Sequence, residues 1–139
     1  MCLSRLIPEE RKQFITMQKE KDYYIGWKWF RPKGNQLTAL YVPTKNYTEK
    51  HWLDEKDFRP IRSKGNDYIQ FSCGDGQYPA GFHTFVDNMQ ARYWIDMMDS
   101  QRNPKILRKI YFKDVKVIGE DMFFIPTVVV GKIFIIGEK

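Results

Sequence analysis

Residues 78–98, YPAGFHTFVDNMQARYWIDMM, are the stretch from which the rest of the chain is best interpreted. Bulky apolar and polar side chains alternate over residues 81–85, which predicts a short, half-buried strand. Asp87 then precedes Gln90 at capping-box spacing, and this spacing predicts the start of a helix. His83 is therefore expected on a strand just before a helix N-terminus.

Candidate ligand contacts concentrate at this junction of strand and helix. Ala91, Trp94 and Ile95 share one helical face and are expected to be buried. The candidate contacts are Phe82, His83, Arg92 and Tyr93. A histidine on a strand is also commonly a hydrogen-bonded structural residue, so both interpretations of His83 remain open.

The segment before this stretch predicts a helical arm followed by a hairpin. Pro8 can occupy the first turn of a helix, and residues 1–21 are expected to form that arm. From Tyr23 the apolar period changes to two, which predicts a strand that continues to the turn residues 32–35. Residues 37–42 would return as the second strand.

Residues 44–64 are polar, charged and weakly patterned, and they predict a long surface loop. Long loops inside small domains are commonly contact regions. Trp52, Leu53 and Phe58 are isolated apolar anchors within this segment. The basic candidates for partner contact are Lys45, Lys50, Lys56, Arg59, Arg62 and Lys64.

The C-terminal third is strongly β in character. Residues 106–118 alternate in apolar parity, and the dominant face changes near Lys113 and Asp114, which predicts a β-bulge. Residues 122–136 predict one or two closing strands. The predicted fold is a single α+β domain over residues 1–139: a mostly antiparallel, twisted sheet of five to seven strands with one or two packed helices.

Composition narrows the function classes. The 139 residues carry a formal net charge of +6, which favours anionic partners, although the basic residues are spread along the chain. No apolar window is long enough to span a membrane, and the N-terminus becomes charged too early for a signal peptide. A cytoplasmic protein is therefore expected.

The chemically reactive residues are few. The sequence has two histidines, His51 and His83, and two cysteines, Cys2 and Cys73. Their spacing predicts no disulfide framework, no metal site and reduced thiols. The Gly-x-Ser-x-Gly pattern of a serine hydrolase is absent from the sequence. We therefore predict no metal, no cofactor and no catalytic residue.

A series of short motifs resembles a loose group of small phage and prophage proteins. The series is YIGWKWFRPKGNQLTALYVP, HWLDEKDF, YPAGFHTF, a helix, KIYFKDVKVIGED and VVVGKIFII, over roughly residues 23–136. The resemblance implies a phage or mobile-element origin. It implies no particular chemistry.

The central stretch alone resembles part of the ADP-ribosyltransferase core. Residues 81–85, followed by Asp87, Ala91 and Tyr93, are similar to a glycine-aromatic strand and helix under the nicotinamide of those enzymes. The early His or Arg strand motif is absent from residues 23–30, and the last strand, from Met122 onward, has no glutamate before Glu138 to serve as the late catalytic acid. The resemblance therefore implies a binding derivative or an enzyme that lacks the usual acid.

Three functional hypotheses are consistent with these sequence features. The leading hypothesis is a phage-encoded, non-catalytic binding protein that engages a host macromolecule or nucleotide signal and so blocks a host function such as antiviral defence. The second is a nucleotide-handling enzyme in which His83 and Tyr93 contact substrate. The third is a basic nucleic-acid-binding protein in which Trp52 and Tyr47 stack on bases.

Overall fold

Strands outnumber helices in the structure, a computed structural model that describes residues 3–40, 45–59, 67–72, 76–98 and 104–137. The elements in chain order are β1 (Arg5–Leu6), α1 (Glu9–Lys12), β2 (Gln18–Lys19), β3 (Tyr24–Lys33), β4 (Gln36–Thr38), β5 (Trp52–Asp54), a 3-10 helical turn (Glu55–Phe58), β6 (Tyr68–Gln70), β7 (Gln77–Pro79), β8 (Phe82–Phe85), α2 (Asn88–Met98), β9 (Ile106–Glu120) and β10 (Pro126–Ile135). The predictions for Cys2 and Cys73 lie outside the described residues.

Four of the strands close into a ring. β3 pairs with β9, β9 with β10 and β10 with β8, and the pair Trp27 and Phe85 joins β8 back to β3. β1, β2, β4 and β5 extend the ring into one antiparallel sheet, which has eight strands among the described residues. β6 and β7 form a separate two-stranded sheet. The predicted α+β class is confirmed, and the two-residue strands β1 and β2 account for the higher strand count.

Side chains that point into the ring form the main hydrophobic core. On β3 and β9 these are the even-numbered residues, because Tyr24 is paired with Phe112 and Phe30 with Ile106. The buried members of this core are Phe30, Leu37, Tyr47, Leu53, Phe58, Phe82, Val86, Ile110, Phe112, Val128, Val130, Ile133 and Ile135. The odd-numbered residues of β3 and β9 consequently lie on the outer side of the sheet.

Two local features allow the ring to close. A Cβ atom at Gly26 would lie 2.8 Å from the carbonyl oxygen of Phe85, so only glycine permits this approach of β3 to β8. The predicted bulge in β9 is confirmed, because the β9–β10 register shifts between Val129 and Val130 and Asp114 has a φ of 60°. A bulge bends a strand and increases its twist, so β9 can curve around the core.

The predicted helix after residue 87 is confirmed as α2, which covers one part of the outer side. The Asp87 carboxylate accepts a hydrogen bond of 3.1 Å from the Met89 N–H, as expected of an N-cap. Ala91 and Trp94 are buried against Phe85. A second part of the outer side is covered where Leu3 and Tyr78 pack on Val129.

These covers change the environment of β8. The strand was predicted to be half-buried, yet all four of its residues are buried. Phe82 and Thr84 face the inside of the ring, while His83 and Phe85 lie under the covering segments. Alternation within a strand cannot show that the helix after it and Tyr78 before it cover its outer side, and this explains the difference.

The predicted helical arm over residues 1–21 is wrong beyond its first turn. α1 ends at Lys12, and the chain then extends so that Gln18 and Lys19 of β2 pair with β3. Ile15 and Met17 pack on the inner core with a period of two, whereas Phe14 is 77% exposed. Pairing with the edge of β3 therefore outweighs helix propensity in this segment.

The predicted surface loop over residues 44–64 is also wrong for its described part. Leu53 of β5 is paired with Ile133 of β10, and Leu53, Phe58 and Tyr47 are buried in the inner core. Leu53, Phe58 and Tyr47 are therefore core positions, whereas Trp52 is 37% exposed on the outer side of the sheet. Residues 60–64 lie outside the described residues.

Candidate binding face

A third part of the outer side of the sheet has no second layer among the described residues. It lies over β5, the C-terminal half of β10, the middle of β9 and the residue before β3. We name it the aromatic–lysine face. Its residues are Tyr23, Trp52, Tyr111 and Phe134, with Lys109, Lys113 and Lys132.

The four rings of this face contact one another through strand register. Phe134 is paired with Trp52 on one side and with Tyr111 on the other, so three rings form a row across three strands. Their centroids are 5.7 Å and 5.8 Å apart. Tyr23 closes the group at 4.4 Å from Tyr111 and 5.9 Å from Trp52. Trp52 is 37% exposed, which makes it the most accessible of the four.

Lysines flank this row on both sides. Lys113 and Lys132 are paired with each other, two residues along β9 and β10 from the rings. The Lys113 Nζ lies 4.1 Å from the Trp52 ring centroid, which is a cation–π contact. Lys109 is exposed two residues in the opposite direction. The face therefore combines aromatic surface with positive charge, a combination suited to anionic ligands that contain unsaturated rings.

His83 occupies a different environment. Its Nε2 atom lies 2.8 Å from the Tyr78 hydroxyl, which accepts a hydrogen bond from the Leu3 N–H at 2.9 Å. Burial, and next the nearby charge of Lys28, hold the pKa of His83 well below its ordinary value. A neutral ring that accepts the Tyr78 proton satisfies these groups. The described contacts of His83 are those of a structural histidine that fixes the N-terminal segment to β8.

Lys28 is a half-buried cation. It lies on the inner side of β3, and its Nζ donates a hydrogen bond of 2.8 Å to the His83 carbonyl oxygen. Burial lowers the pKa of Lys28 to about 8, because a low-dielectric environment disfavours the charged form. Lys28 was not among the predicted site residues, because its position in a strand of alternating pattern gives no signal of its partial burial.

Arg59, predicted to contact a partner, belongs to a buried ion-pair cluster. It donates to Glu55 at 2.7 Å and 3.0 Å and to Asp67 at 2.8 Å, and Lys116 adds a contact of 3.1 Å to Glu55. Burial alone would raise the pKa of Glu55, but the hydrogen bonds from Arg59 and Lys116 outweigh it and lower that pKa. The cluster anchors the 3-10 turn to β9, so the Arg59 side chain has a structural role.

The other predicted site residues are scattered. Lys50 and Lys56 are exposed, and the Lys45 ammonium lies 5.6 Å from the Phe58 ring centroid. Arg62 and Lys64 lie outside the described residues. The structure therefore does not assemble the described basic candidates Lys45, Lys50, Lys56 and Arg59 into one patch around Trp52.

The remaining candidates are also not assembled into one site, because some are buried and others are exposed. Phe82 and Tyr47 are buried in the inner core, so the expectation that Tyr47 stacks on bases is wrong. Arg92 and Tyr93 are exposed on α2, away from the face that packs on the sheet. Because His83 is buried and Tyr93 is exposed, the structure does not bring these two residues into one site.

Sequence reasoning identified one ring of the aromatic–lysine face, Trp52, and overlooked its partners. Tyr23, Tyr111 and Phe134 were expected only as members of strands. The available signal was their parity, because Tyr111 and Lys113 alternate with the buried Ile110 and Phe112. The pairing of β10 with both β5 and β9 was needed to bring the rings together.

Comparisons with known proteins identify no relative, since no protein-family model, no curated protein and no solved structure matches this chain. No helix in the described part of the chain has the length and apolar character needed to cross a membrane. Among the described residues, no group of three or more His, Cys, Asp or Glu side chains is placed to hold a metal ion.

Proposed function

We propose that this chain is a phage-encoded, non-catalytic binding protein that engages an anionic host macromolecule or nucleotide signal through the aromatic–lysine face. Acting in the host cytoplasm, it would block a host function such as antiviral defence. The resemblance of its series of short motifs to small phage and prophage proteins supports the origin. The observation that carries the binding role is the row of rings at Trp52, Phe134 and Tyr111, flanked by lysines and without a second layer among the described residues.

The energetics of this face support a binding role. Exposed contiguous apolar surface is costly in water, and monomeric proteins rarely retain much of it without a use. Trp and Tyr are also the side chains most enriched at interface hot spots, because they bury a large area at low conformational cost. A ligand that covers the rings and pairs with the lysines would gain free energy both from the buried aromatic surface and from the opposite charges.

Affinity capture from a bacterial lysate tests the proposal, with and without nuclease treatment. The variant is Trp52→Ala/Lys113→Ala, and the matched control is Tyr93→Ala/Arg92→Ala on α2. Each pair removes one exposed aromatic ring and one positive charge. We expect the face variant to lose the captured host component and the control to retain it. Equal capture by the wild type and the face variant would contradict the proposal.

A further inference from the structure

The geometry of the aromatic–lysine face constrains the ligand. Adjacent strands lie about 4.8 Å apart, so the row of rings from Trp52 through Phe134 to Tyr111 extends about 10 Å across the sheet. Lys113 and Lys132 lie two residues further along their strands, which is about 7 Å. The row of rings thus lies between Lys113 and Lys132 on one side and Lys109 on the other.

The charges of this face are only partly neutralised. Asp114 lies 3.9 Å from Lys132, and Asp54 is paired with Lys132 in register. For Lys109 and Lys113, in contrast, the structure gives no carboxylate partner among the described residues. Two positive charges beside the rings therefore remain available to phosphate groups.

Two classes of macromolecule could cover such a face. A protein partner would find the rings suitable, but lysine is depleted in protein interfaces, and here Lys113 lies directly on the Trp52 ring. Duplex nucleic acid would satisfy the lysines but hides the faces of its bases. Single-stranded nucleic acid presents both unstacked bases and phosphates, so it matches both the rings and the lysines.

We propose that the aromatic–lysine face binds single-stranded nucleic acid with little sequence preference. Bases would stack on Trp52 and on the Tyr111–Phe134 pair, and the backbone phosphates would contact Lys109 and Lys113. This inference rests on the proposed function, because it names the ligand class of the same face.

Fluorescence anisotropy with a labelled oligothymidylate, and with a labelled duplex of mixed sequence, tests the inference over a salt series. We expect the single strand to bind more tightly than the duplex. Its log–log salt slope should be about −0.7 for each phosphate contact, hence about −1.4 for two lysines. The Trp52→Ala variant should bind the single strand about 5- to 150-fold more weakly, because it loses one stacked base.

Matched variants separate stacking from misfolding. Trp52→Phe keeps a ring and should recover most of the affinity, while Tyr93→Ala/Arg92→Ala should bind like the wild type. Equal affinity for the duplex, together with no loss in Trp52→Ala, would overturn the inference in favour of a purely electrostatic surface.

The proposed function and the inference can fail separately. If neither oligonucleotide binds while the face variant still loses a nuclease-resistant protein in the capture experiment, the inference is wrong and the proposed function stands. If the oligonucleotides do not bind and capture is independent of the face, both are wrong.

Discussion

Two aromatic clusters lie on the outer side of the same sheet and have similar ring contacts. Under α2, Phe85 and Trp94 have ring centroids 5.6 Å apart, and on the aromatic–lysine face Trp52 and Phe134 are 5.7 Å apart. Trp94 is 2% exposed, however, and Trp52 is 37% exposed. Ring contact alone therefore does not distinguish a core from a surface. The distinction comes from whether the chain supplies a second layer.

The polar partners of the two clusters differ accordingly. Under α2, the Trp29 Nε1 donates to the Ala91 carbonyl oxygen at 2.8 Å, so a polar atom at the covered cluster is satisfied within the protein. On the aromatic–lysine face a lysine side chain lies over the Trp52 ring. Lysine can move aside for a ligand, whereas a helix cannot. The first cluster is suited to stability and the second to recognition.

The largest expected effect on stability comes from alanine substitution, which should cost much more in the cluster under α2 than on the aromatic–lysine face. Trp94→Ala should lower the free energy of unfolding by about 3–5 kcal/mol, because it leaves a large cavity under α2. Trp52→Ala should cost about 1–2 kcal/mol, since part of that side chain is already exposed. Urea unfolding followed by circular dichroism measures both. Equal costs would mean that the aromatic–lysine face is part of the structural core.

A second contrast concerns two lysines, Lys28 inside the ring and Lys113 outside it. The pKa of Lys28 is about 8 in the folded state, against an ordinary value of 10.5. Between pH 8 and 10.5, Lys28 is protonated in the unfolded chain and largely neutral in the folded protein. The contribution of Lys28 to the free energy of unfolding should therefore rise with pH from about 8 to 10.5 and stay level below that window. Over this window the free energy of unfolding changes by at most about 3 kcal/mol because of Lys28.

The Lys28→Met variant isolates this effect, because methionine has a similar volume and no charge. The difference in unfolding free energy between wild type and variant should change by up to about 3 kcal/mol from pH 8 to 10.5, in favour of the wild type at the higher pH. Urea unfolding at several pH values checks it. A difference that does not depend on pH would show that the Lys28 ammonium is well solvated.

Local sequence pattern predicted the elements whose neighbours are close in the chain. The α2 cap at Asp87, the bulge near Asp114 and the hairpin from β3 to β4 all depend on residues within a few positions of one another. The cap and the bulge were identified correctly from local spacing and parity, and the hairpin in part, because β4 spans only Gln36–Thr38 and not residues 37–42 as predicted. Such features are local, and a single sequence contains the information for them.

Contacts between distant segments could not be predicted in the same way. Leu53 resembled an isolated anchor of a surface loop until its pairing with Ile133 placed it in the core. The face itself needs Trp52 and Tyr111 to be adjacent to the same strand, β10, although they are far apart in the chain. Strand order is a property of the whole sheet, and no residue pattern within either segment specifies it.

A smaller effect tests the second covered region, where Tyr78 joins His83 to the N-terminal segment. Tyr78→Phe should lower the free energy of unfolding by about 1–3 kcal/mol, because the Leu3 N–H and the His83 Nε2 lose a buried partner. Tyr68→Phe, on the neighbouring strand and 59% exposed, is the control and should change stability by at most about 0.5 kcal/mol. Differential scanning calorimetry compares the two variants. The same small change in both would show that water replaces the Tyr78 hydroxyl.

The smallest expected effect on stability is at Lys113, and it tests the contrast between the clusters most directly. Lys113→Met removes one cation–π contact with Trp52, so unfolding should become easier by only about 0.5–1 kcal/mol. If the lysine instead serves a ligand, the same variant should reduce the salt slope for a single-stranded oligonucleotide by about 0.7. Lys56→Met, an exposed lysine outside the face, should alter neither quantity. A loss above about 2 kcal/mol with unchanged oligonucleotide binding would be larger than a cation–π contact explains, and it would place Lys113 and Trp52 among the residues that hold the fold together.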